Sequence, residues 1–300
     1  MSNIVRSNDK INQMINTGKL AQYGGFKNYI INGGFDIWQR GTSFNSLPSG
    51  VYHADRWLTY SPSGTMDLSI LINGTYATNG LIWNKTTSNG EYIIQNIENI
   101  REFINKEVTV SFYIHNNGTQ TANYLSGLSY VYDGSTNIYE PNNYSFNLAP
   151  QEARLVSFTR TLDYASVFNG KTIGPSSCLQ FFIAQPAGQN NNGENIINNV
   201  QLEEGSVATP FEQRPYGLEL SLCERYYRTG VSEFGVRDTG DVAIGSLEFG
   251  SAMRTTPTIT ATPVIGGTPT VSDIYNKGFS WYATPGNLHA RISYIADAEL

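Results

Sequence analysis

The feature that most constrains this chain is a strict alternation of apolar and polar side chains. In the segment VTVSFYIH, apolar residues occupy every second position, at Val108, Val110, Phe112 and Ile114. Successive side chains of a strand point to opposite faces, so a period of two residues predicts a strand with one buried face and one outward face.

Short runs of the same kind recur along the chain. Further candidate strands are 56–60, 67–72, 92–97, 123–132, 153–159, 178–184 and 196–202. The segments between strands, such as TSNGE, HNNGT and YDGST, contain Asn-Gly and Asp-Gly pairs, which accept positive φ angles in turns. Many short strands with turns at this spacing predict a mostly β fold, an antiparallel sandwich.

Changes of pattern divide the chain into three predicted parts, 1–25, 26–215 and 216–300. The first is a short helix with an apolar stripe that includes Ile11 and Met14. It should dock on its own body, on sister subunits or on a larger particle, because isolated short helices are marginal in water. The second carries the sandwich pattern. The third begins with a short helix, GLELSLCERYYR, and continues as a smaller β unit.

The composition excludes several classes of function. The formal net charge is -6 and no run of Lys or Arg occurs, so the basic surface that nucleic-acid binding needs is missing. Neither a signal-peptide core at the amino terminus nor an apolar run long enough to span a membrane occurs. We therefore predict synthesis in the cytoplasm, with no nucleic-acid partner and no membrane insertion.

Residues that commonly carry catalysis are scattered. His53, His115 and His289 lie in three different segments, and no metal-type cysteine pair or Gly-x-Ser-x-Gly elbow occurs. Cys178 and Cys223 are predicted to be reduced and buried. The sequence therefore favours a protein that is not an enzyme, with cleavage of a polysaccharide by a carboxylate pair as the less favoured alternative.

Tyrosines are dense between residues 124 and 144, among Gly, Ser and Asn. Their flat rings could stack on sugar rings while neighbouring amides bind hydroxyl groups. Packing in the core or between subunits is the alternative, and the pattern alone does not decide. The candidate carbohydrate-binding residues are Tyr124, Tyr130, Tyr132, Tyr139 and Tyr144.

Three stretches, in order, resemble a known family. They are NYIINGGFDIWQRGTSF with YHADRW, then NNVQLEEGSVATPFEQRPYGLELSLCERYYR, then FGSAMRTTPTIT with ISYIADAEL. Together they span residues 28–300 and resemble bacteriophage tail-fibre and appendage proteins with a jelly-roll domain related to carbohydrate-binding modules.

The resemblance implies a jelly roll carried on a virion, a homotrimeric assembly and a possible glycan partner on the host-cell surface. We expect the N-terminal segment to attach to other virion proteins. The 216–300 part is small, so we expect it to share its core with other subunits and to contribute much of the trimer contact. A capsid or tail decoration protein, or an adaptor with no ligand of its own, remains the alternative.

The residues that carry the resemblance are expected to hold the fold and not a ligand. Asp55 and Arg56 should form a charge-assisted pair at the edge of the sandwich, and Arg40 should hold a strand end. Core packing beside an arginine is the favoured interpretation for Trp38 and Trp57.

Modules of this general fold can carry a structural calcium ion near their first and last strands. Asp36 and Glu203 fall near those strands and are weak candidate ligands. The chain has no dense loop of oxygen ligands, so calcium is the less favoured interpretation and no other cofactor is expected.

Overall fold

A computed structural model describes residues 25–62, 64–73, 79–84, 90–132, 138–139, 143–163, 170–188, 193–235, 241–284 and 289–300. The helix predicted within residues 1–25 falls outside these ranges. The described chain forms two compact units that divide between Glu219 and Leu220. Both units are built mainly from antiparallel strands, as the alternation predicts.

The first unit is a sandwich of two antiparallel sheets. Its strands are β1 (Ser43–Leu47), β2 (Leu58–Tyr60), β3 (Met66–Ile72), β4 (Asn79–Asn84), β5 (Glu91–Ile97), β6 (Glu107–Asn117), β7 (Ala122–Val131), β8 (Ile138–Tyr139), β9 (Tyr144–Leu148), β10 (Ala153–Thr161), β11 (Cys178–Gln185) and β12 (Glu194–Glu204). The first sheet has the order β1-β3-β4-β12-β6-β10, and the second has β2-β5-β11-β7-β8, with β9 also on β7. The chain crosses repeatedly between the two sheets, which makes this a jelly roll.

The core of the first unit lies between the two sheets. Phe181 on the second sheet contacts Trp57 edge-on, with ring centroids 6.2 Å apart, and lies 6.1 Å from Phe112 on the first sheet. The inward positions predicted on β6 are confirmed, because Val108, Val110, Phe112 and Ile114 all belong to this core.

Two details of the predicted strands are wrong. The run 56–60 yields only the three-residue strand β2, because Arg56 has a positive φ of 72° and forms part of a turn. The polar face of β6 is not open to solvent at Thr109 and Ser111. There the segment after β12 covers the sheet, and the Thr109 hydroxyl donates a hydrogen bond to the Gly205 carbonyl at 2.6 Å.

The second unit contains the end of helix α1 (Tyr216–Glu224) and two three-stranded sheets, β13-β18-β15 and β14-β17-β16. Its strands are β13 (Tyr227–Gly235), β14 (Ala243–Glu248), β15 (Thr258–Ile265), β16 (Thr270–Tyr275), β17 (Gly278–Ala283) and β18 (His289–Asp297). It encloses its own apolar cluster around Trp281, Phe279 and Ile292. The expectation that other subunits share this core stays a prediction.

Both cysteines are free and buried, which confirms that prediction. Within the described ranges, the longest helix is too short and too polar to cross a lipid bilayer.

Candidate functional site

The outer face of the second sheet, turned away from the sandwich core, carries a separate apolar cluster. On β11, Phe181 and Ile183 point into the core, so Phe182 and Ala184 point to the opposite side. We call this set the outer-face cluster; it consists of Leu58, Tyr60, Tyr92, Ile94, Leu125, Phe182 and Ala184. The sheet thus has aromatic and aliphatic side chains on both faces.

Within this cluster, a series of aromatic contacts connects an exposed ring to a buried one. Tyr60 and Tyr92 are cross-strand partners on β2 and β5, and their rings meet edge-on with centroids 5.6 Å apart. The ring of Tyr92 in turn lies 5.9 Å from the buried ring of Phe182. Tyr60 is 46% exposed, so the outer face presents a large apolar ring that another molecule can cover.

A polar row crosses the same face beside the aromatic rings. Asn96, Gln180 and Ser129 are direct neighbours on β5, β11 and β7. The Gln180 amide donates a hydrogen bond to Asn96 Oδ1 at 2.9 Å. The Ser129 hydroxyl is buried and has no hydrogen-bond partner within the described ranges. An unpaired buried hydroxyl costs about 1–3 kcal/mol, and at 0% exposure Ser129 is not open to a ligand.

Gly127 makes room for the side chains that surround this face. It lies directly opposite Phe182 on the neighbouring strand. A Cβ atom at Gly127 would lie 3.0 Å from both the Phe182 ring and Asn143 Oδ1, which is closer than side chains normally approach. The absence of a side chain lets an amide oxygen lie close to an aromatic ring here.

The outer-face cluster and the polar row carry no formal charge. Neighbouring strands lie about 4.8 Å apart, so the strands β2, β5, β11 and β7 give a surface roughly 14 Å across. Aromatic rings and amide groups on one uncharged face suit a neutral ligand that has both apolar faces and many hydroxyl groups.

Sequence reasoning missed this face, although the sequence contains a signal for it. The segments EYIIQNI and CLQFFIAQ do not alternate strictly, because they contain the uninterrupted apolar runs YII and FFIA. Such runs indicate strands that are covered on both faces. The runs do not indicate which group covers the outer face of the second sheet.

Three of the predicted carbohydrate-binding tyrosines are placed in the core. Tyr124 and Tyr130 are buried because even-numbered positions on β7 face the first sheet, and Tyr132, just after β7, is buried in the same core. The Tyr124 hydroxyl donates a hydrogen bond to Asn195 Oδ1 at 2.5 Å, and burial raises the pKa of this phenol. A sugar cannot reach these rings, so the prediction is wrong for these three residues.

The other two predicted tyrosines have different positions. Tyr144 is 36% exposed on β9, where its ring stacks on Phe158 of β10 at a centroid distance of 5.3 Å. It therefore lies at the side of the sandwich, on strands other than those of the outer-face cluster. Tyr139 belongs to β8, and its side chain falls outside the described residues.

The residues that carry the family resemblance lie in buried contacts. Both carboxylate oxygens of Asp55 accept hydrogen bonds from Gln39, one from its backbone N–H at 2.7 Å and one from its side-chain amide at 3.0 Å. The ion pair of Asp55 is with Arg40, at 3.5 Å, where the sequence predicted Arg56. Arg56 instead reaches across to β5 and donates a hydrogen bond to the Asn96 carbonyl at 2.6 Å.

The two tryptophans of the stretches that carry the resemblance donate hydrogen bonds to backbone carbonyl groups. Trp57 is fully buried and its indole N–H donates to the Asn32 carbonyl at 2.9 Å. Trp38 is half-buried and donates to the Phe35 carbonyl at 2.7 Å. Arg40 lies over the ring of Tyr52, with 5.3 Å to the ring centroid.

The carboxylates proposed for calcium accept hydrogen bonds from protein groups. Asp36 accepts from the side-chain amides of Asn79 and Gln213 at 2.7 and 2.9 Å. Glu203 accepts from the backbone N–H and the hydroxyl of Thr209 at 2.8 and 2.6 Å. Within the described ranges, no group of three or more His, Cys, Asp or Glu residues is suitable for holding a metal. These geometries do not support a calcium site.

No protein-family model matches this chain, and no curated protein matches it. Solved structures with a similar fold include the CBM22-2 xylan-binding domain of Paenibacillus barcinonensis Xyn10C, at 15% identity over 50% of this chain and 92% of that chain, with a TM-score of 0.38. The family 11 carbohydrate-binding module from Clostridium thermocellum matches at 14% identity over 56% and 97%, with a TM-score of 0.34. The enzymatically active domain of tailspike protein 4 of bacteriophage CBA120 matches at 10% identity over 61% and 22%, with a TM-score of 0.39. These similarities concern the β-sandwich fold.

Proposed function

We propose that this protein is a non-enzymatic bacteriophage virion component, a tail-fibre or appendage protein, that binds a neutral glycan of the host-cell surface on the outer face of its second sheet. The observation that carries the glycan part is the exposed Tyr60 ring, which meets Tyr92 edge-on, on an uncharged face that also carries the amide pair of Asn96 and Gln180 four residues along β5 from Tyr92. The virion part rests on the sequence resemblance across residues 28–300.

In this proposal, the two kinds of side chain have separate tasks. Tyr60 and Tyr92 provide apolar surface for a sugar ring, at a low cost in side-chain entropy because tyrosine has only two rotatable side-chain bonds. The paired amides of Asn96 and Gln180, each 8% exposed, offer their outer edge to sugar hydroxyl groups. A single site of this kind binds weakly, and several copies on one particle multiply the affinity because linked sites raise the effective concentration.

The test is to replace Tyr60 with alanine and to titrate purified protein with host capsule or lipopolysaccharide fragments. We expect Tyr60→Ala to weaken binding by about tenfold, since an aromatic contact contributes about 1 kcal/mol beyond its buried area. Tyr275→Ala in the second unit is the matched control, because Tyr275 is 39% exposed. Equal binding by the wild type and Tyr60→Ala would reject the site.

One observation favours the alternative, a decoration or adaptor protein without a glycan ligand. On the second unit, Ile244 is 73% exposed and is the cross-strand partner of Tyr282, so an apolar patch faces outward. Such a patch suits a contact with another protein. Labelling the chain on intact particles separates the two functions: a position at the distal tail supports host binding, and a position on the capsid faces supports decoration.

A further inference from the structure

Two segments of the first unit that are distant in sequence lie side by side. We call residues 27–32 the leading segment and residues 209–219 the trailing segment. The backbone N–H groups of Lys27 and Asn28 both donate to the carboxylate of Glu212, at distances of 3.0–3.1 Å. These are charge-assisted hydrogen bonds, the stronger kind in proteins.

A buried arginine adds a second set of bonds between the same segments. The guanidinium of Arg214 donates to the carbonyl of Ile30 at 3.1 Å and also to the carbonyl of Asn28. The same group pairs with both carboxylate oxygens of Glu219 at 3.0 Å. Glu219 in turn accepts a hydrogen bond from the backbone N–H of Asn32. Arg214 and Glu219 are 4% and 6% exposed, so water has little access to these bonds.

The two segments run parallel to each other. The contacts proceed from Lys27 with Glu212 to Asn32 with Glu219, so the numbers rise together along both segments. The chain enters the unit before residue 27 and leaves it after residue 219. A force applied between these two ends therefore shears the two segments against each other. All the bonds that connect the segments then carry the force at the same time.

The leading segment is also held on β12. The Tyr29 backbone N–H donates to the Leu202 carbonyl at 2.8 Å, and the Leu202 N–H donates to Asn28 Oδ1 at 3.0 Å. These bonds connect the leading segment to the centre of the first sheet, because β12 lies between β4 and β6. The leading segment is thus bonded to both the trailing segment and the sheet.

We propose that the leading and trailing segments form a mechanical clamp that lets the first unit withstand tension along the chain. Bonds loaded together must break almost simultaneously, whereas bonds loaded one after another separate at low force. Resistance to a pull is governed by the rate of unfolding. A buried charged cluster at the loaded point slows unfolding and so raises the resistance. This function is independent of what the outer face binds.

The test is to stretch the full chain between handles at its two ends in optical tweezers. At about 3.6 Å per extended residue, rupture of the first unit releases roughly 700 Å and rupture of the second unit roughly 290 Å, so the two events are distinguishable. The same measurement is repeated with handles at introduced cysteines, Asn45→Cys and Ser145→Cys, which are exposed positions outside both segments. The 100 residues between these two positions (145 − 45) release roughly 360 Å. We expect the first unit to rupture at a clearly higher force when pulled from its ends.

Arg214→Ala tests the clamp itself. At a fixed force applied through the ends, we expect the unfolding rate of the first unit to rise about tenfold or more, since each bond to a charged group is strong and Glu219 is left buried without its partner. Arg154→Ala is the matched control, because it removes an exposed arginine–glutamate pair with Glu152. Glu212→Gln keeps the Arg214–Glu219 pair and should give a smaller rise, which covers the case in which Arg214→Ala fails to fold.

Two results would overturn the clamp. The first is an equal rupture force of the wild-type unit in the two pulling directions. The second is a folded Arg214→Ala or Glu212→Gln chain whose unfolding rate under end-to-end force equals that of Arg154→Ala.

Discussion

At the scale of single residues, His53 lies in the stretch YHADRW, which carries part of the family resemblance, and its side chain is surrounded by aromatic rings. It is fully buried between the rings of Trp38 and Phe44, at centroid distances of 6.3 and 6.4 Å. Neither of its ring nitrogens has a hydrogen-bond partner within the described ranges. Burial, with a smaller contribution from the charge of Arg40, lowers the pKa of His53 to about 3. The imidazole is therefore neutral in the folded protein.

This predicts that acid destabilises the fold through His53. The folded pKa lies below the unfolded value of about 6.5, so protonation favours the unfolded chain, and the free energy of unfolding falls as the pH drops from about 6.5 towards 3. Between pH 7 and pH 4, His53→Leu should lose about 2–3 kcal/mol less stability than the wild type, as measured by urea unfolding at each pH. Identical losses in both proteins would contradict this.

At the scale of elements, the turn after the leading segment approaches β12 very closely. The Gly33 carbonyl accepts a hydrogen bond from the Val200 N–H at 2.9 Å, and a Cβ atom at Gly33 would lie 2.1 Å from the Val200 carbonyl oxygen. At this point β12 has an irregular register between Asn198 and Gln201. The Asn-Gly-Gly-Phe part of the signature is therefore explained by a backbone contact.

We predict that Gly33→Ala destabilises the first unit by about 1–3 kcal/mol, because the added methyl group forces the turn away from β12. Gly217→Ala is the matched control, since it adds the same methyl group on helix α1 with no atom within 4 Å. That control should be neutral or slightly stabilising, because alanine favours a helix. Urea unfolding measures both. Equal stability of the two variants would exclude the close contact as the reason for the glycine.

At the scale of the whole molecule, the assembly state remains a prediction. The second unit encloses its own apolar cluster, and the sharing of that core among subunits stays a prediction. Exposed apolar residues on its strands support association better, since Ile244, Val231 and Tyr282 are each more than 40% exposed. Contacts of this kind are typical of subunit interfaces.

We predict a homotrimer at micromolar concentration, with the contact on the second unit. Ile244→Asp should shift the mass in solution towards the monomer, because it places a charge in an apolar contact. Light scattering coupled to gel filtration measures the mass, and Ile72→Asp is the control, since Ile72 is also exposed but belongs to the first unit. A wild-type chain that is a folded monomer would refute this assembly.

The sequence alone determined that the chain is a mostly β protein and where most strands of the first unit run, because a two-residue period is a local property of the backbone. It also indicated the free buried cysteines and helix α1. The choice between Tyr124 in the core and Tyr60 on the surface was decided by the tertiary structure. That choice depends on which strands pair. Tyr92 on β5 becomes the cross-strand partner of Ala184 on β11 only after the chain has crossed between the sheets several times. The partner of Asp55 depends on a turn at Arg56 for the same reason, since one residue with positive φ redirects every side chain near it.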